Sequence, residues 1–113
     1  MTLPHNHGQE IEKHFEHMPK EESFHVVADV FKLLSDSNRV RIFWMLCHCE
    51  ECVINISALM EMSSPAVSHH LRLLKDNGLI TSRRDGKEVY YKAAETEQAE
   101  MLHQAIEKMA RIT

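Results

Sequence analysis

Residues 63 to 92 read SSPAVSHHLRLLKDNGLITSRRDGKEVYYK. Ser63 or Ser64 offers an oxygen to cap a helix, and Pro65 fits that helix's first turn, where a missing backbone N–H leaves no bond unmade. Val67, Leu71 and Leu74 then fall on one face. Asn77 and Gly78 suit the left-handed ending of a helix. Leu79 to Arg84 reads as a strand, Asp85-Gly86 as a hairpin signal, and Glu88 to Ala93 as the returning strand.

Working outward, Phe24, Val27, Val30, Phe31 and Leu34 recur at three- and four-residue spacing, which predicts an amphipathic helix from Glu21 with a wide buried stripe. Ser35, Asp36 and Ser37 supply cap oxygens for a helix from Asn38 to about Leu46, with Val40, Phe43 and Leu46 inward. Asn55 is expected to cap a short helix burying Ile56, Leu59 and Met60, and Glu61, Met62 and Ser63 form a tight turn into the Pro65 helix. Downstream, Glu95 to about Ile112 carries a stripe of Ala99, Leu102, Ala105, Ile106 and Met109. A short helix, a tight turn, a second helix and a hairpin make the outline of a winged helix-turn-helix. The expected fold is mainly α with a small β-hairpin, its long N- and C-terminal helices forming a dimer interface.

With 113 residues and 43% hydrophobic content, the chain has room for one small core. Residues 1–20 read as a His-rich arm: a mobile tail over 1–8, then one or two helical turns between Glu10 and Met18 that Pro19 ends. Residues 21–113 read as the winged helix-turn-helix domain with its C-terminal dimerisation helix. No apolar run is long enough to cross a bilayer, and the start MTLPHNHGQEIEKH lacks the basic and apolar parts of a signal peptide. A cytoplasmic protein without a membrane partner is expected. Neither a glycine-rich phosphate loop nor a paired-carboxylate cleft is legible, so the chain does not read as an enzyme.

Charge is unevenly placed. The window 63–92 holds six Lys or Arg against three acids, a net of +3 in a chain whose total is -4, so the remainder carries -7. One face attracts phosphate while the rest repels it, which favours a defined docking mode on double-stranded DNA over indiscriminate coating. On the second helix of the pair, Ser64, Pro65, Ala66, Ser68, His69, Arg72 and Lys75 lie off the core face; hydroxyls, an imidazole and a guanidinium there suit base edges and phosphates. Arg83, Arg84 and Lys87 at the hairpin tip are expected to reach flanking phosphate or the minor groove. The alternative for each basic residue taken singly is an ordinary solvated charge.

The long helices at either end present more apolar surface than a small core covers, so one stripe is expected to pack against a second copy. A two-fold homodimer sets two recognition helices about one DNA turn apart and calls for a near-palindromic operator.

Cys47-His48-Cys49-Glu50-Glu51-Cys52 lies just before the helix-turn-helix. An odd number of cysteines in a reducing compartment argues against a disulfide framework. Thiolates are soft ligands, suited to zinc, cadmium, lead, copper(I) or trivalent arsenic. Residues two apart on an intact helix point about 200° apart, so Cys47 and Cys49 can share an ion only where the helix ends near Leu46. Cys47, four residues after Phe43, also reads as a core residue. A redox or reactive-sulfur switch at these thiols is the second reading, and a metal-buffering protein without DNA function the third.

Leu34-Ser35-Asp36, Arg39, Ile42, Cys52-Val53, Val67-Ser68-His69-His70-Leu71, Leu74, Gly78-Leu79 and Arg84-Asp85-Gly86 through Tyr90-Tyr91 together resemble the ArsR/SmtB family of metal-responsive bacterial repressors. The resemblance covers residues 33 to 92. It implies a homodimer that represses an operator near its own promoter and releases DNA when an inducer binds. It singles out Cys52 as a thiolate ligand, although the second cysteine usual two residues on is Ile54 here. The N-terminal arm of some relatives completes that site across the dimer, which makes His5, His7, His14 and His17 candidate ligands beside Cys47, Cys49 and Cys52. The implied inducer is a zinc, cadmium, lead or As(III) species that the fold does not require. A second family site would fall on Glu95 and Glu97 with Lys108 and Arg111; cations cannot ligate a metal, so a salt-bridged dimer contact is expected there instead. His103 lies on that helix outside the required spacing.

Overall fold

The computed structural model describes residues 3–113, and the first two residues of the expected arm lie outside it. Two compact units are present, Met1–Phe31 and Lys32–Thr113. The first holds a short helix α1 (Ile11–Glu16), entered from Glu10 in the left-handed region and burying none of its residues. It also holds most of α2 (Glu21–Leu33). The stripe expected to be buried along α2 is instead open in the single chain: Phe24 is 45%, Val27 47% and Phe31 69% exposed, and only Leu33 is buried.

The second unit runs α3 (Ser37–His48), β1 (Glu51–Cys52), α4 (Val53–Met60), α5 (Ser64–Asp76), β2 (Ile80–Asp85), β3 (Glu88–Ala93) and α6 (Glu97–Ile112). Asp36 caps α3 by accepting the Arg39 N–H, Ser63 caps α5 by accepting that of Ala66, and Thr96 caps α6 by accepting that of Ala99. At the far end of α5 the Gly78 N–H reaches the Lys75 carbonyl and the Leu79 N–H the Leu74 carbonyl. This paired closure requires the positive φ of Gly78, and it turns Leu79 straight into the core.

Phe43, Ile42, Leu46, Ile56, Val67, Leu71, Leu74, Leu79 and Ile80 form the fully buried centre, packed between α3, α4, α5 and the sheet. Val67, Leu71 and Leu74 occupy the expected face of α5. On α3, Ile42 joins Phe43 and Leu46 inside, whereas Val40 is only half-buried. α4 begins at Val53, two residues before the expected cap Asn55, and buries Ile56; Leu59 is 65% exposed because this short helix is covered on one side only, by α5 and β1.

The sheet has three antiparallel strands in the order β1-β3-β2, so the expected hairpin gains a short third strand. Glu51 and Cys52 pair with Tyr91 and Tyr90, while Ile80 to Asp85 pair with Ala93 to Glu88. Gly86, at positive φ, opens the two-residue turn between β2 and β3.

Behind the helix-turn-helix, Arg39 joins three elements. Its Nη1 donates to the Leu33 carbonyl at 2.7 Å and its Nε to His70 Nδ1 at 3.2 Å, while its backbone N–H caps on Asp36. The end of α2, the start of α3 and the middle of α5 are thereby held to one side chain.

Because Ile56 is the one fully buried side chain of α4, Ile56→Ala should lower the unfolding free energy by about 2–5 kcal/mol. Urea denaturation followed by circular dichroism measures this.

Candidate nucleic-acid interface and ligand residues

α5 buries one face and exposes the other. Ser64, Pro65, Ser68, His69, Arg72 and Lys75 are all exposed, while Val67, His70, Leu71 and Leu74 are inside. The turn into the helix, Glu61 to Ser63, begins with Glu61 in the left-handed region at φ 53°. Ser57 and Ser64 hydroxyls meet across it at 3.1 Å, fixing α4 against the start of α5. The outward side chains partner one another lightly: Arg72 lies 3.1 Å from His69 Nδ1, and Lys75 donates to the Ser82 hydroxyl at 2.7 Å. These are exposed contacts that a stronger acceptor such as phosphate displaces at small cost.

The hairpin presents its cations unequally. Arg83, Arg84 and Lys87 are exposed, yet Arg83 is engaged within the chain. Its Nη2 and Nε donate to both carboxylate oxygens of Glu50, at 2.6 and 3.0 Å, and its guanidinium lies 4.9 Å from the Tyr90 ring centre. The two groups reinforce each other's charge: the guanidinium holds Glu50 below the usual carboxylate range, and the carboxylate raises Arg83. Among the described residues Arg84 and Lys87 make no salt bridge, so they are the hairpin cations turned outward unpaired.

The cysteines do not converge in the single chain. α3 continues through Cys47 and His48 rather than ending near Leu46, so Cys47 is half-buried on the helix while Cys49 is exposed at its extended C-cap. Cys49 Sγ donates back to the Met45 carbonyl at 3.3 Å. Cys52 is buried, at the junction of β1 and α4. Burial, then the nearby Glu107 carboxylate, pushes the Cys47 thiol up to about 11. Burial and Glu51 also raise Cys49. His5, His7, His14 and His17 are exposed on the first unit, with the rings of His5 and His7 stacked at 5.8 Å. Glu95 pairs with Lys92 at 3.2 Å, and Arg111 approaches Glu107 at 3.9 Å.

One set of potential ligands does meet, and the sequence reading passed over it. His48, at the end of α3, faces His103 and Glu107 of α6, with all three ligand atoms within 4.8 Å of one another. The four-residue interval from His103 to Glu107 is a visible same-face signal. Nothing local announces that His48 joins them.

The fold and the α5 face define a winged helix-turn-helix protein. The model of the bacterial regulatory proteins of the arsR family matches residues 36–82. Over 66 residues the chain is 48% identical to a cadmium resistance transcriptional regulatory protein CadC homolog of Staphylococcus aureus, covering 58% of this chain and 54% of that one. Over 69 residues it is 36% identical to the arsenical resistance operon repressor of the same organism, covering 61% and 66%. The chain thus spans about half to two thirds of the length of these relatives. A possible transcriptional regulatory protein (fragment 1–100) from Mycobacterium bovis shares 30% identity in its crystal structure, with TM-score 0.69 over 82% of this chain and 99% of that one. A solution structure from that organism, described as a homodimeric winged helix-turn-helix DNA-binding domain, superposes with TM-score 0.70 at 28% identity over 83% and 88%. The chain belongs to the arsR family of bacterial regulatory proteins. No helix among the described residues is long and apolar enough to cross a membrane.

His70, 8% exposed, was not foreseen as a buried polar residue. Burial holds it below the ordinary histidine range; Asp36 opposes this, and Arg39 and His69 add to it. Nδ1 accepts from Arg39, so the ring is neutral with its hydrogen on Nε2, facing Asp36 at 4.0 Å. The unfolded chain takes up this proton first. The stability linked to His70 is therefore full above the ordinary histidine pKa and is lost as pH falls through the lower folded value. Melting midpoints taken from neutral pH down to the carboxylate range should fall more steeply for the natural chain than for His70→Leu.

Proposed function

We propose that this chain is a cytoplasmic, homodimeric DNA-binding repressor, released from a near-palindromic operator by a thiophilic metal ion or metalloid. The observation that carries the DNA half is α5: one face is locked into the core by Val67, Leu71 and Leu74, and the opposite face offers Ser64, Pro65, Ser68, His69, Arg72 and Lys75 to solvent. A helix held in this way projects hydrogen-bonding groups without mobility of its own, as major-groove readout requires. Arg84 and Lys87 anchor the wing on phosphate, and Arg83 acts mainly as the link between the wing and Glu50. The exposed apolar faces of α2 and α6, including Phe24, Phe31, Met101 and Met109, supply the dimer surface.

Cys52 links the sensing segment to the reading unit. It pairs with Tyr90 in the wing strand β3 and stands immediately before the first residue of α4, so a ligand that moves its sulfur pulls on both parts. Cys49, exposed nearby, and the histidines of the N-terminal arm complete the donor set within the dimer. The S. aureus relatives are a cadmium and an arsenical resistance regulator, which supports a soft inducer, and cadmium, lead, zinc and As(III) are the candidates.

Operator binding by fluorescence anisotropy tests the assignment. Arg72→Ala or Ser68→Ala should weaken binding by about 1–3 kcal/mol with dimerisation intact; unchanged affinity would overturn the role given to α5. Cys52→Ser should bind the operator and fail to release it on titration with cadmium, lead, zinc or arsenite in reducing buffer. A normal response in that variant removes Cys52 from the sensing site.

A further inference from the structure

A second set of donors, none of them a thiol, lies on the inner side of the last helix. His48 Nε2 and His103 Nε2 are 3.1 Å apart, His103 Nε2 and Glu107 Oε1 3.2 Å, and His48 Nε2 and Glu107 Oε1 3.4 Å. Four ligands around an ion at about 2.0–2.1 Å in tetrahedral array stand about 3.3 Å from one another. The three atoms therefore already form one face of such a tetrahedron. Each Nε2 carries at most one hydrogen, so whichever tautomers the rings adopt, at least one of the three contacts sets lone pair against lone pair or hydrogen against hydrogen. A cation that takes all three lone pairs removes that conflict.

The surroundings orient the donors. Trp44 Nε1–H donates to Glu107 Oε1 at 2.8 Å, and the Trp44 ring packs on that of His48 with centroids 4.3 Å apart. The His48 and His103 rings meet edge to face at 4.8 Å. His103 and Glu107 are half-buried while His48 is exposed, which leaves the fourth position open to water.

We propose that His48, His103 and Glu107 form a binding site for a borderline divalent cation of the Zn2+, Co2+ or Ni2+ class, joining the end of α3 to the middle of α6. Two imidazoles and a carboxylate form a harder donor set than the thiolates, so the site is chemically distinct from the one proposed for the soft inducer. Bound metal cross-links the helix that leads into the helix-turn-helix to the C-terminal helix and fixes the angle between them. Cation binding here is independent of the repressor reading; only its effect on operator affinity rests on it.

The test is Co2+ titration of the full chain, His48→Gln and His103→Gln in reducing buffer without DNA, followed by visible absorption and melting temperature. At this site the natural chain should bind one Co2+ per chain, whose tetrahedral d–d bands carry no sulfur-to-cobalt charge transfer, and should melt higher with metal. Each variant should lose that equivalent and the metal-dependent rise, while any sulfur-to-cobalt band persists. Trp44→Phe should keep the site with affinity lower by about 10–100-fold, as loss of an outer partner does. Binding of as many Co2+ by both variants as by the natural chain overturns the site, and so does loss of the sulfur band in His48→Gln, which would place these histidines in the thiolate centre. His48 is exposed at a helix end, so its variant decides the question even where His103→Gln misfolds.

Discussion

The half-buried Arg39 guanidinium is the joint on which the outward-facing geometry of α5 depends. A cation there must satisfy its donors or lose its hydration uncompensated, and it does so by gripping the last carbonyl-bearing turn of α2 at Leu33 and the imidazole of His70 on α5. Asp36 completes the arrangement by capping α3 through the Arg39 backbone. Groups from α2, α3 and α5 are thus committed to one polar knot at the edge of an otherwise apolar core. Apolar contacts tolerate small slides; a directional knot of this kind fixes the rotation of α5, and with it the residues that face outward.

A second constraint runs through the sheet. β1 is only two residues long, yet it ties the cysteine segment to the wing by pairing Cys52 with Tyr90, and Glu50 beside it grips Arg83. Movement at residues 49–52 therefore has a rigid route to the hairpin and, through α4, to the turn before α5. The His48 group lies at the opposite side of the same segment, against α6. The stretch 47–52 is the place where helix, sheet edge and C-terminal helix all meet.

The core face of α5 was legible because Val67, Leu71 and Leu74 repeat at helical spacing, and the hairpin because Asp85-Gly86 marks its turn. Both match the structure to within a residue. β1 carried no signal of its own, since Glu51 and Cys52 are extended only by virtue of their partners Tyr91 and Tyr90. The end of α3 was misplaced because Cys47, His48 and Cys49 read as a ligand-rich turn, whereas backbone bonding carries the helix to His48. His70 was given no role in the sequence; one position along a helix separates a solvated imidazole from a buried one. The stripe on α2 was read as buried and is open in the single chain, because a periodic pattern records that a face seeks cover and not which chain supplies it. The His48, His103 and Glu107 group escaped for a related reason: its parts are 55 residues apart, and only packing of α3 on α6 brings them together.

The engagement of Arg83 by Glu50 has a consequence for how association responds to ionic strength. Each Lys or Arg that neutralises a phosphate releases condensed counterions and steepens the fall of affinity with salt by about 0.9 in the logarithmic slope. A cation already neutralised by a carboxylate of its own chain releases few. The basic window between residues 63 and 92 thus has fewer effective charges than its six Lys or Arg residues would indicate. On the proposed DNA-binding reading, a larger share of its hold on DNA then falls to hydrogen bonds that salt does not screen, and those are the contacts that distinguish one sequence from another.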